Sequence, residues 1–199
     1  MTAAAATEHH GPTPLRSRIV AAAVDLTARS GWSAVTMSRL AEAVGVSRQT
    51  VYNELGSKPA LAEAMVHDEL GRFLTLVESA FDQHPDDLVE SIRSAAQAVL
   101  EVAPDNTLLH AIVSATHGTD TELLPLLTTH AGSLLDTAKA VISDRLAPFE
   151  LPLDEHQREA AIDVVVRVVL SHVMQPSDTP ARTAEDIAWI ASRVLRTPA

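Results

Sequence analysis

Apolar residues return at helical spacing along almost the whole chain. Leu15, Ile19, Ala22 and Leu26 mark a first helix that runs to Gly31. Met37, Leu40, Ala41 and Val44 stand at i, i+3, i+4 and i+7 and predict a short second helix. Thr36 precedes it as an N-cap, and Gly45 follows where a left-handed residue is needed. Ser47 caps a third short helix with Val51 and Leu55 as its inward pair. A fourth helix opens at Lys58-Pro59, carries Val66, Leu70, Phe73, Val77 and Phe81 along one face, and stops at Pro85.

The same logic predicts five more helices. The fifth holds Leu88, Ile92, Ala95, Val99 and Val102 and is stopped by Pro104. The sixth, capped by Asp105 or Asn106, holds Leu109, Ile112 and Val113 and ends at Gly118. A seventh spans Asp120 to Leu146, with Pro125 in its first turn and Leu134, Ala138, Val141 and Ile142 inward; Pro148 and Pro152 then mark a loop. The eighth, about 154–174, is apolar nearly all round through Ile162, Val164, Val165, Val166, Val168, Val169, Leu170 and Val173, and so should be buried all round. After Gln175-Pro176-Ser177 a ninth carries Ile187, Trp189, Ile190, Ala191, Val194 and Leu195. The fold class is all-α, with about nine helices.

Composition agrees: 46% of residues are hydrophobic but only 3% aromatic, a mix that suits closely packed helices. The absence of cysteine excludes disulfides, thiolate metal sites and cysteine nucleophiles. No apolar run approaches the roughly 20 residues of a membrane span, and no signal-peptide pattern opens the chain, so no membrane association and a cytoplasmic location are expected. Residues 1–14 lack periodicity and read as a flexible tail, their paired His9 and His10 incidental.

Charge is uneven. The net is −11, yet residues 1–58 hold Arg16, Arg18, Arg29, Arg39, Arg48 and Lys58 against Glu8, Asp25, Glu42 and Glu54, a net of +2 that leaves −13 beyond. A polyanion would be met by the N-terminal part alone.

Two short helices joined by a glycine-containing turn make a helix-turn-helix. Arg48, Gln49, Thr50, Tyr52 and Asn53 crowd the start of its second helix, with donors for phosphates and base edges on the element that fits the major groove. Lys58 follows as a point charge for the backbone. The alternative is a pair of ordinary surface helices, which would not need so many donors.

These residues resemble the tetracycline-repressor (TetR) family of bacterial regulators. Its members show a threonine opening helix 2, Ala-x-x-x-Gly-Val-Ser, then Thr-(Val/Leu)-Tyr, a Phe, and a Lys at the start of helix 4. Thr36, Ala41, Gly45, Val46, Ser47, Thr50, Val51, Tyr52 and Lys58 match. Gln49 stands where glycine is common, Leu55 replaces Phe, and Glu54 would repel a phosphate unless it faces a cytosine amine or turns away. The match covers about residues 15–65.

The resemblance implies a three-helix DNA-binding domain over 15–58, joined by the long fourth helix to an effector-binding and dimerisation domain over 59–199. It implies DNA contacts from Arg16, Arg18, Thr36, Ser38, Ser47, Arg48, Gln49, Thr50, Tyr52, Asn53 and Lys58 on a double-stranded palindromic operator. It also implies a homodimer through helices 8 and 9, which would set two reading helices about 34–36 Å apart. Alternatively, the eighth helix is the centre of a monomer core. Trp32 reads as packing beneath the first helix.

For the effector, the resemblance points to the larger lobe, where Phe73, Val77, Phe81, Leu109, Val113 and Leu135 supply apolar walls and His110 and His117 share a helix face, with His130 on the next segment. Few aromatics and few positive charges there suggest an apolar or lipid-like small molecule. The same residues read equally well as ordinary core. No cofactor and no metal site are expected, since no His-x-x-x-His pair or carboxylate cluster accompanies these histidines. Ser114 and His117 lack a third orienting group or oxyanion donor, so catalysis is not expected. The expected function is a ligand-responsive dimeric regulator, a repressor that the effector releases from DNA. The competing class is an all-helical interaction or ligand-binding module without specific DNA readout.

Overall fold

The computed structural model describes residues 14–116 and 131–195. Among them lie nine α-helices: α1 Leu15–Ser30, α2 Met37–Val44, α3 Arg48–Leu55, α4 Lys58–Gln83, α5 Leu88–Val102, α6 Thr107–Thr116, α7 Ala131–Leu146, α8 Glu155–Met174 and α9 Pro180–Val194. Short 3-10 turns follow α1 and α5. The expected tail over 1–13, Gly118, the first turns of the expected seventh helix with Pro125, and His117 and His130 lie outside the described residues, as do the side chains of residues 112–116.

The chain divides into two compact units between Met65 and Val66, within the continuous α4. The first unit buries Ile19, Leu26, Met37, Leu40, Ala41, Val51 and Leu55 of the positions that the spacing picks out, and with them Ala23, Trp32, Val35, Leu61 and Met65; Leu15, Ala22 and Val44 are only half-buried. Trp32 is core, in keeping with its reading as packing against the first helix.

In the second unit Ala80 and Phe81 of α4, Ala95 of α5, Ala138 and Leu146 of α7, and Ile162 and Val166 of α8 form one core. Phe149 closes it edge-on to Phe81, ring centres 6.4 Å apart at 73°. A second cluster sits between α5 and α9, where Ala96, Ala184 and Ile187 bring the two helices together. Caps set the boundaries: Asp87 accepts from the Glu90 amide, Thr179 from that of Arg182, and Asp154 and Gln157 make a reciprocal capping box on α8. Of the two candidates for the α6 cap, it is Asn106 whose Oδ1 accepts from the Leu109 amide, at 2.9 Å.

One packing expectation fails within a single chain. α8 buries Ile162 and Val166, but Val164 is 57% and Leu170 44% exposed. On α9, Trp189 and Ile190 are 59% and 50% exposed, and Val194 also faces outward. α4, α5 and α7 pack about Ile162 and Val166, and α5 and α9 about Val165, Val168 and Val169, while Val164 and Leu170 remain exposed. Val102 of α5 is likewise exposed rather than core, because it is the last residue before the 3-10 turn.

Candidate nucleic-acid interface

The two short helices are held by caps at each end. Thr36, in extended backbone, accepts the Arg39 amide on its hydroxyl at 3.2 Å. α2 ends at Gly45, whose φ of 72° and ψ of 38° lie in the left-handed region. There the Val46 amide reaches the Ala41 carbonyl and the Gly45 amide that of Glu42, so the closing carbonyls are satisfied. Ser47 then accepts the Thr50 amide at 3.0 Å and starts α3.

α1 adds a support that residue spacing does not show. Arg16 donates from Nη1 to the Glu54 carbonyl at 2.7 Å, and Arg18 from Nη2 to the Val44 carbonyl at 2.8 Å. Each cation thus sits at the C-terminal end of a helix of the pair, where carbonyls are unpaired and the helix dipole is negative. Arg39 ties the preceding turn in the same way, donating to the Ala34 carbonyl at 2.9 Å. The resemblance assigned Arg16 and Arg18 to DNA; both side chains spend part of their hydrogen bonding inside the lobe, holding α2 and α3.

The side chains on the outward face of α3 hydrogen-bond to one another. Arg48, Gln49, Tyr52 and Asn53 are exposed, while Val51 and Leu55 are buried beneath them. Arg48 donates to the Tyr52 hydroxyl at 3.2 Å and lies 5.3 Å from that ring's centre. Gln49 Nε2 donates to Asn53 Oδ1 at 3.0 Å, and the Ser47 and Thr50 hydroxyls are 2.8 Å apart. These pairs one turn apart restrict the rotamers of four long polar side chains, so less freedom is lost on binding. Ser38 is exposed on α2 and Glu54 on α3. Lys58 rests its ammonium 4.7 Å above the Trp32 ring, a half-buried cation–π contact at the first residue of α4.

The residues singled out for an effector are not all in one place. Val77, Phe81 and Leu135 meet in the core of α4, α5, α7 and α8, and Phe73 is half-buried on α4. Leu109 and His110 instead line a cavity between the α5–α6 turn and the α8–α9 loop. His110 Nε2 lies close against the Pro104 carbonyl. The side chain of Val113 and all of His117 lie outside the described residues.

Two polar contacts organise this unit. Glu69 of α4 is buried, receiving a hydrogen bond from Asn106 Nδ2 and an ion pair from Arg72 at 3.4 Å. Asn106 therefore caps α6 with one end of its amide and ties that turn to α4 with the other. Between α7 and α8, Asp163 accepts from Arg167 at 2.7 Å and from Lys139 at 3.1 Å, and these hydrogen bonds hold its carboxyl below the usual aspartate range.

Comparison with known proteins agrees with the geometry. The model of the N-terminal domain of tetR-family bacterial regulatory proteins matches residues 19–65, and that of the bacterial tetracycline-repressor C-terminal domain matches residues 87–193. The chain is 26% identical to the HTH-type transcriptional regulator AlkX of Mycobacterium tuberculosis (strain ATCC 25618 / H37Rv) over 174 residues, 87% of this chain and 82% of that protein. Among solved structures it is similar to the TetR-family repressor AlkX from Dietzia sp. strain DQ12-45-1b, implicated in biodegradation of n-alkanes. That match has a TM-score of 0.73 and 27% identity, covering 90% of this chain and 96% of the other. The fatty acid degradation regulator FadR from Bacillus halodurans shares the fold at 20% identity and a TM-score of 0.54, over 94% of this chain and 100% of that one. A capped reading helix at one end, and a C-terminal match over more than half the length, lead to one conclusion: the chain belongs to the TetR family of bacterial transcriptional regulators.

Proposed function

We propose that this regulator is a cytoplasmic homodimeric repressor that reads a palindromic operator with α3 and leaves it when a small apolar effector fills the larger lobe. The single observation that carries the DNA reading is the exposed, mutually hydrogen-bonded set Arg48, Gln49, Tyr52 and Asn53 on a helix capped at its start by Ser47. In this reading those four meet base edges, while Thr36, Ser38, Ser47, Thr50 and Lys58 meet phosphates, and Arg16 and Arg18 position α2 and α3 and add charge beside them. DNA binding belongs to residues 15–58, effector binding and dimerisation to 59–199.

The uncovered apolar faces of α8 and α9 support the dimer, since Val164, Trp189 and Ile190 need a partner surface and a second copy presents the same one. The relation to a repressor implicated in n-alkane biodegradation supports an apolar effector and control of genes that handle hydrocarbon or lipid. The signal travels along α4, to which the α5–α6 turn is fastened through Asn106 and Glu69. An effector shifts the DNA-bound population only by as much as it prefers the released state.

Selection of bound sequences from a random duplex pool tests the reading. The expected product is a two-fold symmetric consensus with half-site centres about one helical turn apart. Recovery of no consensus would favour an interaction module without sequence readout.

A further inference from the structure

We infer that Gln49 and Asn53 of α3 act together as one reader of a single adenine in each half-site, one amide of the pair accepting from the adenine N6 amine and the other donating to its N7. This assignment deepens the DNA reading above and rests on α3 entering the major groove.

The two amides lie one turn apart on the exposed face of α3, and Gln49 Nε2 donates to Asn53 Oδ1 at 3.0 Å. A side-chain amide holds one carbonyl and two N–H donors. The bond between the two uses one hydrogen and one lone pair, and leaves the Gln49 carbonyl and the Asn53 amide nitrogen for a partner. Turning both amides over exchanges these roles and still leaves an acceptor beside a donor. Adenine is the one base that by itself offers the major groove both a donor and an acceptor, N6 and N7. Guanine offers two acceptors, so the amide carbonyl would face an oxygen. Cytosine offers a donor alone, and thymine an acceptor beside a methyl group. Each wrong base thus leaves at least one amide group without its bond where the base edge has displaced water.

Arg48 cannot take this part, because a guanidinium holds donors only, and its own bond goes to Tyr52. α3 therefore presents two different readers, a donor fork at residue 48 and a mixed donor–acceptor pair at residues 49 and 53. The helix beneath the pair is fixed by the Ser47 cap and by buried Val51 and Leu55. The bond between the amides narrows the rotamers of both, so the pair loses less freedom on binding than a lone glutamine would. A pair that merely steadied the helix would carry no base preference.

The test uses the full-length protein and the consensus selected from a random duplex pool. Each half-site should hold an adenine whose replacement by guanine weakens binding about tenfold. At the same place 7-deazaadenine, which pairs normally with thymine but lacks N7, should weaken it about fivefold, the effect of one lost hydrogen bond. Gln49→Ala and Asn53→Ala should each relax selection at that base pair and at no other. Each should weaken operator binding about tenfold, and the double variant about tenfold again in total rather than about a hundredfold, since both remove one reader. Both positions are exposed and alanine is a strong helix former, so the melting temperatures should stay near that of the parent. Relaxation at two different base pairs, relaxation in one variant alone, losses that multiply in the double variant, or indifference to 7-deazaadenine would overturn the inference while α3 remained the reading helix. A pool that yields no consensus would overturn the DNA reading and this assignment with it.

Discussion

Arg48 and Lys58 carry the same charge in this lobe but in different settings. Arg48 stands on the exposed face of α3, its planar fork over the Tyr52 ring and bonded to that residue's hydroxyl. A fork of that kind pairs with the two acceptors of a guanine edge, whereas an ammonium meets phosphate without regard to sequence. Arg48→Ala or Asn53→Ala should therefore cost about 1–3 kcal/mol on the selected operator and much less on random duplex. Lys58→Ala should weaken both alike and make the slope of log affinity against log salt shallower by about one. Because Lys58 also lies over Trp32, that variant should lose about 0.5–1 kcal/mol of stability as well, so its melting temperature must be measured beside its affinity. Equal losses for the Arg48 and Lys58 variants on random DNA would defeat this division. Gly45 is needed for its backbone alone: a Cβ there would meet nothing within 4 Å, but the left-handed conformation strains any residue that has one.

At the scale of elements, charged side chains decide how the helices of the larger unit are held. Arg145 of α7 pairs with Glu78 at 3.1 Å and Asp82 at 2.7 Å, both on α4, and Lys139 of α7 with Asp163 of α8. The Asp163 carboxyl is held below its usual range by Arg167 and then Lys139. A group whose folded pKa is depressed stabilises fully above its unfolded value and loses that contribution as pH falls through the folded one. Thermal melts of the parent should therefore drop faster than those of Asp163→Asn as pH is lowered below about 4, the ordinary aspartate value. The parent should be the more stable protein at pH 7, with the gap closing in acid. A gap unchanged between pH 7 and pH 2 would show that the Asn variant fails for a reason other than charge.

For the whole molecule the open question of packing is what covers α8 and α9. Exposed Val164, Leu170, Trp189, Ile190 and Val194 are too many large apolar groups to leave in water without consequence. At about 25 cal/mol per Å² their burial against a second copy is a strong drive to associate. Val164→Glu or Trp189→Glu places a carboxylate on that face beside its own symmetry mate. Sedimentation at micromolar concentration should then give a monomer, while the helical circular dichroism stays near that of the parent. Operator affinity should fall steeply, because one reading helix per particle loses the advantage of paired half-sites. A parent chain that sediments as a monomer would end the dimer proposal.

Much of this was legible in residue order. The caps Thr36 and Ser47, the stop at Gly45, the inward stripe of α2 and the polar face of α3 are local, since each depends on neighbours within one or two turns. Helix 8 was equally plain as a helix, but its environment was not: a sequence apolar on every side does not say whether its cover comes from the same chain. Tertiary structure alone decided that Arg16 and Arg18 close the ends of α3 and α2, that Lys58 lies over Trp32, and that Asn106 reaches Glu69 across 37 positions. It also placed Leu109 and His110 at the α5–α6 turn, apart from Phe81 and Leu135 in the core of α4, α5, α7 and α8. The physical reason is one of range. Backbone hydrogen bonding and capping act over a few residues and leave a periodic trace, whereas a side chain's distant partner is chosen by how whole helices pack, which no spacing records.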